Sequence, residues 1–294
     1  MYAIGMCVDE GYLLPSLVTL TSVADGMALR ARQDVAVRVL SLDLSRQHAE
    51  IMAAVVKRCG FGSFDIQRRA PSASSVMADS AYITVTTYLR FQFTPQFADR
   101  PHLVYVDADV LVTGDLAGPL HELPNGRIGA VRDEFNPAVG TSRALPGLVE
   151  RWPHLYGRPY FNAGMLWMPT AVLGRLRDGV EAALVRGRRH ILHNDQDALN
   201  LWLLSSGTVH PVAAELNRFE IGRFLERGDW VRHVVHRPLN ADATVLHFVG
   251  GHKPWQASCP VTESVRDYRA HAVRTLRLVR RLGDRSVGVA GGVW

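Results

Sequence analysis

The run Leu103-Val104-Tyr105-Val106-Asp107-Ala108-Asp109-Val110-Leu111-Val112 restricts the fold of this chain more than any other stretch. An apolar, β-branched segment reads as a buried strand. This one ends in two carboxylates separated by a single alanine. Burying two like charges is costly unless a cation or strong hydrogen bonds compensate them. The pair therefore reads as a hard oxygen-ligand site for Mg²⁺ or Mn²⁺ at the carboxyl end of a strand. Open α/β sheets bind their ligands at that end.

Taken alone, Asp107 and Asp109 admit other readings. They could be the nucleophile and general acid of a haloacid-dehalogenase-like phosphohydrolase, whose motif is also a DxD after a strand. They could also be turn carboxylates capping the strand end before Thr113-Gly114-Asp115.

The preceding residues alternate between strand and helix patterns. Tyr2–Val8, Val35–Leu42 and Phe64–Arg68 read as strands; Pro15–Ala24 and Arg46–Cys59 read as helices, the latter N-capped by Ser45. A Ser-rich loop and a helix over Thr86–Phe97 follow, and then the strand that ends at Asp107. Such alternation predicts an α/β class with a mostly parallel sheet and helices on both faces. Beyond Asp109 the pattern is less regular. Strands are expected at Ile128–Arg132, Phe161–Met168 and Thr244–Val249, and helices at Ala171–Arg186 and Asp195–Ser205, the second stopped by Gly207. Residues 133–160, rich in Pro, Gly and Arg, read as a long loop or lid.

Charge argues against a nucleic-acid partner. The 294-residue chain carries a net +5, but residues 263–285 alone hold seven arginines against Glu263, Asp267 and Asp284. The remaining body is nearly neutral. The charged segment reads as a basic amphipathic helix over about Thr262–Leu282, with Val265, Tyr268, Val273, Leu276 and Val279 on its apolar stripe. The tail from Gly283 to Trp294 is expected to fray. Such a helix can lie on an anionic membrane surface or pack on the domain with its arginines solvated. No apolar run reaches the roughly 18 residues of a membrane span, and no leader is expected at the N-terminus. Cys7, Cys59 and Cys259 are far apart, odd in number and in no metal spacing, so reduced thiols in a cytoplasmic protein are expected. Lys57 and Lys253 are the only lysines, and the Arg-rich, Lys-poor composition suggests a GC-rich bacterial source.

Five further segments carry polar groups that simple packing does not demand. In Thr244–Trp255, His247 stands in a strand, Gly250 and Gly251 permit close backbone approach to a ligand, and Lys253 follows. Imidazole with two carboxylates suits Mn²⁺, and an ammonium suits a diphosphate. In His193–Asn200, Asn194 reads as the helix cap with acids complementing the first turn, or Asp195 and Gln196 face a ligand. Phe161-Asn162-Ala163-Gly164 could expose an amide and backbone to a sugar hydroxyl, or merely turn into a core strand. Asp9 with Tyr12, and Thr87-Tyr88-Leu89-Arg90, are weaker and could be surface polarity.

In order and spacing these segments resemble glycosyltransferase family 8, the retaining GT-A-fold family that includes bacterial lipopolysaccharide α-galactosyl- and glucosyltransferases and glycogenin. The carriers are DEGY (residues 9–12), TTYLR (86–90), YVDADV (105–110), FNAG (161–164), NDQDALN (194–200) and HFVGGHKPW (247–255). The resemblance runs from about Ile4 to Trp255. It implies a GT-A domain over residues 1–256, with a nucleotide-binding half (1–109) and an acceptor and donor-sugar half (110–256), followed by the basic C-terminal helix and tail (257–294).

The same resemblance implies roles. Asp9 and Tyr12 would meet uracil; Asp107, Asp109 and His247 would ligate Mn²⁺ or Mg²⁺. The Ala108 backbone, the Gly250-Gly251 backbone and Lys253 would hold the nucleotide and its diphosphate. Arg90, Asp133, Asn162, Ala163, Asp195 and Gln196 would surround the hexose of a UDP-sugar. Asp195 or the Gln196 carbonyl would stabilise the oxocarbenium-like centre while the acceptor hydroxyl attacks from the face that UDP leaves. A two-step route with Asp195 or Gln196 as nucleophile is the competing account. The acceptor, whether a glycan, a lipid-linked glycan or a natural product, is left open, as is peripheral contact with the inner face of a membrane. A non-catalytic sugar-nucleotide binder on the same fold is the remaining alternative. Gly11 stands where members often carry Asn, Tyr82 where some carry His, and His252 adds a titratable group beside Lys253.

Overall fold

A computed structural model describes residues 1–70, 85–140, 144–145, 150–220 and 242–282. Residues 71–84 (with Tyr82), part of the 133–160 segment and the tail from Gly283 lie outside the described residues.

Among the described residues ten strands form two sheets: β1 (Ala3–Cys7), β2 (Ala36–Ser41), β3 (Ser63–Arg68), β4 (His102–Val106), β5 (Val110–Val112), β6 (Ile128–Arg132), β7 (Phe161–Pro169), β8 (Val209–Val212), β9 (Arg218–Phe219) and β10 (Val245–His247). Seven of them make the main sheet, in the order β3-β2-β1-β4-β7-β6-β8. The β3-β2-β1-β4 half is parallel, and β7 runs antiparallel to both β4 and β6. β1, β2 and most of β4 are buried residue after residue, as expected of strands covered on both faces. The sequence alternation thus gives the mixed α/β sheet expected of it.

The Leu103–Val112 run is not one strand. β4 ends at Val106, a turn holds Asp107–Asp109, and β5 joins a second sheet in the order β5-β10-β9. β5 and β10 pair antiparallel, with His247 opposite Val110, and the Phe248 N–H donates to the Asp109 carbonyl at 3.0 Å. This pairing brings the HFVGGHKPW segment to the two aspartates.

The helix Arg46–Cys59 has the predicted bounds, with Ser45 accepting from the His48 N–H and Gly60 closing it at φ +84°. Gly207 likewise ends the helix Asn194–Ser206 in the left-handed region, at φ +64°. Two expectations need correction. Thr86–Phe97 is not one helix: it is a 3₁₀ segment, Val85–Gln92, and a four-residue turn, Pro95–Ala98, started afresh by the Thr94 side chain. Consecutive β-branched residues at 85–87 disfavour the α form, and Pro95 cannot donate inside a helix. Asn194 does not cap the next helix through its side chain. It sits at φ +46°, and the Asp197 carboxylate accepts from the Leu192 and His193 N–H groups instead.

The C-terminal helix, Glu263–Arg281, starts at a Thr262 cap and packs on the helix Leu13–Asp25. Val265, Tyr268 and Ala272 join Leu14, Val18, Leu246 and Phe248 in one apolar cluster. Val273, expected on the stripe, is exposed; Thr275 and His271 face inward instead. The reason is a polar contact between the helices: Thr21 Oγ1 lies 2.8 Å from Thr275 Oγ1 and 3.0 Å from His271 Nε2. Among the described residues no helix is long and apolar enough to cross a membrane.

His271 gives this packing a pH dependence. Burial first, then Arg274, pull its imidazole down from 6.5 to about 4, against a smaller raising effect of Asp25. Arg274 donates to Nδ1 at 2.6 Å, so neutral His271 keeps its proton on Nε2, toward Thr21. The unfolded chain takes up a proton near pH 6.5 and the folded chain resists until about pH 4. Stability from this group is therefore complete above pH 6.5 and is lost as the pH falls toward 4. Thermal midpoints measured across this window should fall less steeply in His271→Gln than in the wild type; parallel profiles would contradict the assignment.

Candidate active site

In the main sheet β1 pairs with β2 on one side and with β4 on the other, so the strand order reverses between β1 and β4. Ligands of doubly wound sheets sit in the crevice at the carboxyl ends of such strands. Here the two strand ends lead into Asp9 and Asp107. A cavity of about 770 Å³ opens there, and every site residue expected from the sequence lines it: Asp9, Tyr12, Arg90, Asp107, Ala108, Asp109, Asp133, Asn162, Ala163, Asp195, Gln196, His247, Gly250 and Lys253.

Asp107, Asp109 and His247 form its most densely charged part. One ligand atom from each lies within 4.8 Å of the other two. His247 Nε2 is 3.2 Å from Asp109 Oδ1 and 3.9 Å from Asp107 Oδ2. Its other nitrogen, Nδ1, lies 2.9 Å from Asn217 Oδ1. The amide oxygen can only accept, so Nδ1 donates to it and Nε2 is the nitrogen turned to the aspartates, where it can donate to Asp109 or ligate a cation in place of its proton. Asn217 in turn donates to Asn162 Oδ1 at 2.9 Å. Three hard or borderline donors with a fixed ring orientation suit a divalent cation of the Mn²⁺ or Mg²⁺ type.

Cations offset the carboxylates. Lys253 Nζ lies 2.6 Å from Asp109 Oδ2 and donates to the Phe248 carbonyl at 2.7 Å. Burial alone would push the Asp109 pKa up, but Lys253 and His247 hold it well below the usual carboxylate range. Asp107 accepts from the Tyr105 hydroxyl at 2.7 Å and pairs with Arg90 at 3.2 Å. Arg90, only 4% exposed, also pairs with Asp195 at 3.1 Å and donates to the Ala163 carbonyl. Its guanidinium lies 4.7 Å from the centre of the Tyr105 ring. Burial opposes its charge, yet Asp107, Tyr105 and Asp195 raise its pKa above the ordinary value. Arg90 is therefore a buried counter-ion, not surface polarity.

The NDQD segment divides its work. Asp197 is fully buried, accepting from the Tyr160 hydroxyl at 2.6 Å and from the Leu192 and His193 amides. Asp195 faces the cavity, its pKa raised by burial against the lowering effect of Arg90. Gln196 accepts from Asn162 Nδ2 at 2.9 Å and the Ala163 N–H at 3.1 Å, and donates to Asp133 Oδ2 at 3.0 Å. One turn on, Asn200 exchanges hydrogen bonds of 2.7 Å with both backbone groups of Phe161. Helix and β7 are thereby locked in register.

Beyond the end of β1, Asp9 accepts from the Tyr12 N–H at 3.1 Å and from the Thr86 hydroxyl at 3.2 Å. The Tyr12 ring stands edge-on to Trp255, 5.5 Å between centroids. Gly250 sits at φ +88°, a conformation closed to most side chains. His252 does not line the cavity, whereas Gly251 does.

Two contributors were not singled out in the sequence. Asn217 carries no local signal, because its role depends on His247, thirty residues away. Gly164 appeared only as a small residue beside Asn162, but a Cβ there would lie 2.3 Å from His247 Cε1 and 2.8 Å from Asp107 Oδ2. The cluster can close only over a glycine. Gly164→Ala should therefore weaken Mn²⁺ binding by roughly tenfold or more while the chain stays folded, as read by metal titration alongside circular dichroism. Unchanged affinity would remove Gly164 from the site.

Comparison with known proteins agrees with this geometry. The pattern of Glycosyl transferase family 8 matches residues 3–259. The lipopolysaccharide 1,3-galactosyltransferase of Salmonella typhimurium is 28% identical over 187 residues, covering 59% of this chain and 50% of that protein. Glycosyltransferase GlyF of Streptococcus pneumoniae is 22% identical over 268 residues, 86% of this chain and 57% of that one. The chain thus spans about half the length of these relatives. Among solved structures, the galactosyltransferase LgtC in complex with donor and acceptor sugar analogues superposes with a TM-score of 0.68 at 24% identity, covering 92% of this chain and 95% of that one; the likeness is one of fold, the GT-A fold. The chain belongs to glycosyltransferase family 8.

Proposed function

We propose that this glycosyltransferase is metal-dependent and retaining, moving a hexose from a UDP-sugar to an acceptor hydroxyl to form an α-glycosidic bond. The observation that carries the reading is the joining, in one cavity, of the Asp107–Asp109–His247 cluster, Lys253 and the Asp195–Gln196 helix start. The donor set and the space kept clear by Gly164 fit a divalent cation. Held by Asp107, Asp109 and His247, Mn²⁺ or Mg²⁺ would supply Lewis-acid stabilisation of the charge that develops on the departing diphosphate.

The chain's own groups account for the rest. Lys253 keeps Asp109 ionised and can offer the same ammonium to a phosphate oxygen. Tyr12 offers a ring face or edge and Asp9 a carboxylate to the uracil. Asn162, Gln196 and Asp133 form a hydrogen-bonded wall beside the place for a hexose. Gln196 Oε1 already accepts two hydrogen bonds, which makes a weak nucleophile weaker. Asp195, next to Arg90, is better placed for electrostatic stabilisation of a cationic anomeric centre. This favours attack and departure on one face over a covalent intermediate.

In the phosphohydrolase alternative one oxygen of Asp107 would attack while the other held the cation, whereas Tyr105 and Arg90 both take its Oδ1 and leave Oδ2 alone for either task. The relatives named for lipopolysaccharide transfer suggest a glycan or lipid-linked acceptor, and the donors in their names suggest galactose or glucose. The C-terminal helix has already spent its apolar side on the domain. Contact with a membrane through it would rest mainly on arginines, with Val273 and Leu282 the exposed apolar residues.

UDP should raise the thermal midpoint of the wild type in the presence of Mn²⁺ and not in its absence. Asp109→Asn should lose that response. A wild type indifferent to UDP with Mn²⁺ would sink the reading. Slow Mn²⁺-dependent hydrolysis of one UDP-hexose from a panel would then separate a catalyst from a mere binder.

A further inference from the structure

A second cavity, about 660 Å³, lies away from the metal cluster and is lined by Arg151, Val185, Arg186, Arg188, Arg189 and His190. Four of these six residues are arginines drawn from two segments, the end of the helix Leu173–Gly187 and the residues just before the 3₁₀ turn Pro153–Leu155. Among the described residues no carboxylate pairs with any of the four. An arginine in a helix's last turn is ordinary, because it complements the helix dipole. That accounts for Arg186. It does not account for Arg188 and Arg189 beyond the helix end, nor for Arg151 from a separate segment.

One aromatic contact, Trp152 on His190, joins the two segments. The Arg151 guanidinium lies 5.0 Å from the centre of the Trp152 ring, and Trp152 stands edge-on to His190 at 6.1 Å. Trp152 itself packs against the hydrophobic core. The chain then runs directly from His190 to Leu192 and His193, which line the main cavity, and on to Asp195 and Gln196. The phosphates of a nucleotide donor already have Lys253 and the metal cluster for counter-charge. A second concentration of guanidinium groups, joined to the donor-sugar wall, has no such anion to meet.

The geometry points to a phosphate-binding subsite for the acceptor, formed by Arg151, Arg186, Arg188 and Arg189. The acceptor it fits bears a phosphate group close to the sugar that receives the hexose, and guanidinium forks suit that group better than ammonium would. The acceptor role rests on the donor reading above; the anion site does not.

The test uses the full chain and two probes: glycerol 3-phosphate in solution, and phosphatidylcholine vesicles with and without phosphatidic acid. Arg186→Gln/Arg189→Gln should bind the phosphate probe about fivefold or more weakly. Arg277→Gln/Arg281→Gln, which makes the same charge change on the C-terminal helix, should not. Loss on glycerol 3-phosphate supports the subsite with a soluble phosphorylated acceptor; loss on phosphatidic acid vesicles alone supports it with a lipid headgroup. Equal affinity of wild type and Arg186→Gln/Arg189→Gln for both probes, or an equal loss in the control, overturns it. The Mn²⁺-dependent response to UDP is read on the same samples and should persist in both variants. A wild type that holds phosphate through these arginines but ignores UDP overturns the acceptor role through the donor reading, and leaves the anion site standing.

Discussion

Asp107 and Asp109 are tolerable at the end of a buried strand because each is compensated by a different partner. Asp109 has Lys253 and His247; Asp107 has Arg90 and the Tyr105 hydroxyl. The partners come from the 3₁₀ segment Val85–Gln92, from β4 and from the chain around β10, so the charge balance obliges distant parts of the chain to meet. The β5–β10 pairing does most of this, since it sets His247 opposite Val110. Removing one member of a buried pair costs on the order of 3–5 kcal/mol, because the other charge is left uncompensated. Loss of activity on replacing Lys253 would therefore not by itself show that Lys253 binds phosphate.

A chain of amides stands behind the charges. His247 donates to Asn217, Asn217 to Asn162, and Asn162 to Gln196, which donates to Asp133. Each side chain has its donor and acceptor used in one sense only, so reversing Asn217 would break two contacts and reversing Asn162 or Gln196 three. The Asp107–Asp109–His247 cluster and the Asn162–Gln196–Asp133 wall thus share one hydrogen-bond direction, and the ring orientation that turns His247 Nε2 to the aspartates is fixed from that wall. Groups held this way need little rearrangement when charge develops nearby.

What could be read from the sequence was what local pattern determines. Ser45 and Gly60 bound a helix, β1 is a continuous apolar run and β2 one broken only by Arg38 before it ends at Ser41, and the fourteen residues expected at the site all line one cavity. The failures lie where a distant partner decides. The strand expected to end at Asp107 does end there, but the separate strand β5 beyond it went unread because its partner β10 arrives from residue 245. Val273 yields its place to Thr275 because Thr21 stands across the helix interface. Asp197 takes the capping role expected of Asn194, held in position by Tyr160. Asn217 had no pattern of its own to betray it.

The C-terminal helix shows why a basic amphipathic pattern is a weak guide to a membrane. Its apolar residues are consumed by Leu14, Val18 and Phe248, and one of its arginines faces inward to the protein. Arg269 donates to the carbonyls of Pro254 and Gln256, 2.9 Å each. Gln256 in turn accepts from the Lys253 N–H at 3.0 Å, and Trp255 between them touches both Tyr12 and Tyr268. The helix therefore braces the turn that delivers the one buried lysine ammonium to Asp109 and sets the aromatic wall beside Tyr12. Its charge is not all available to a lipid surface, and its packing is part of what keeps the Tyr12 and Lys253 side of the cavity in shape.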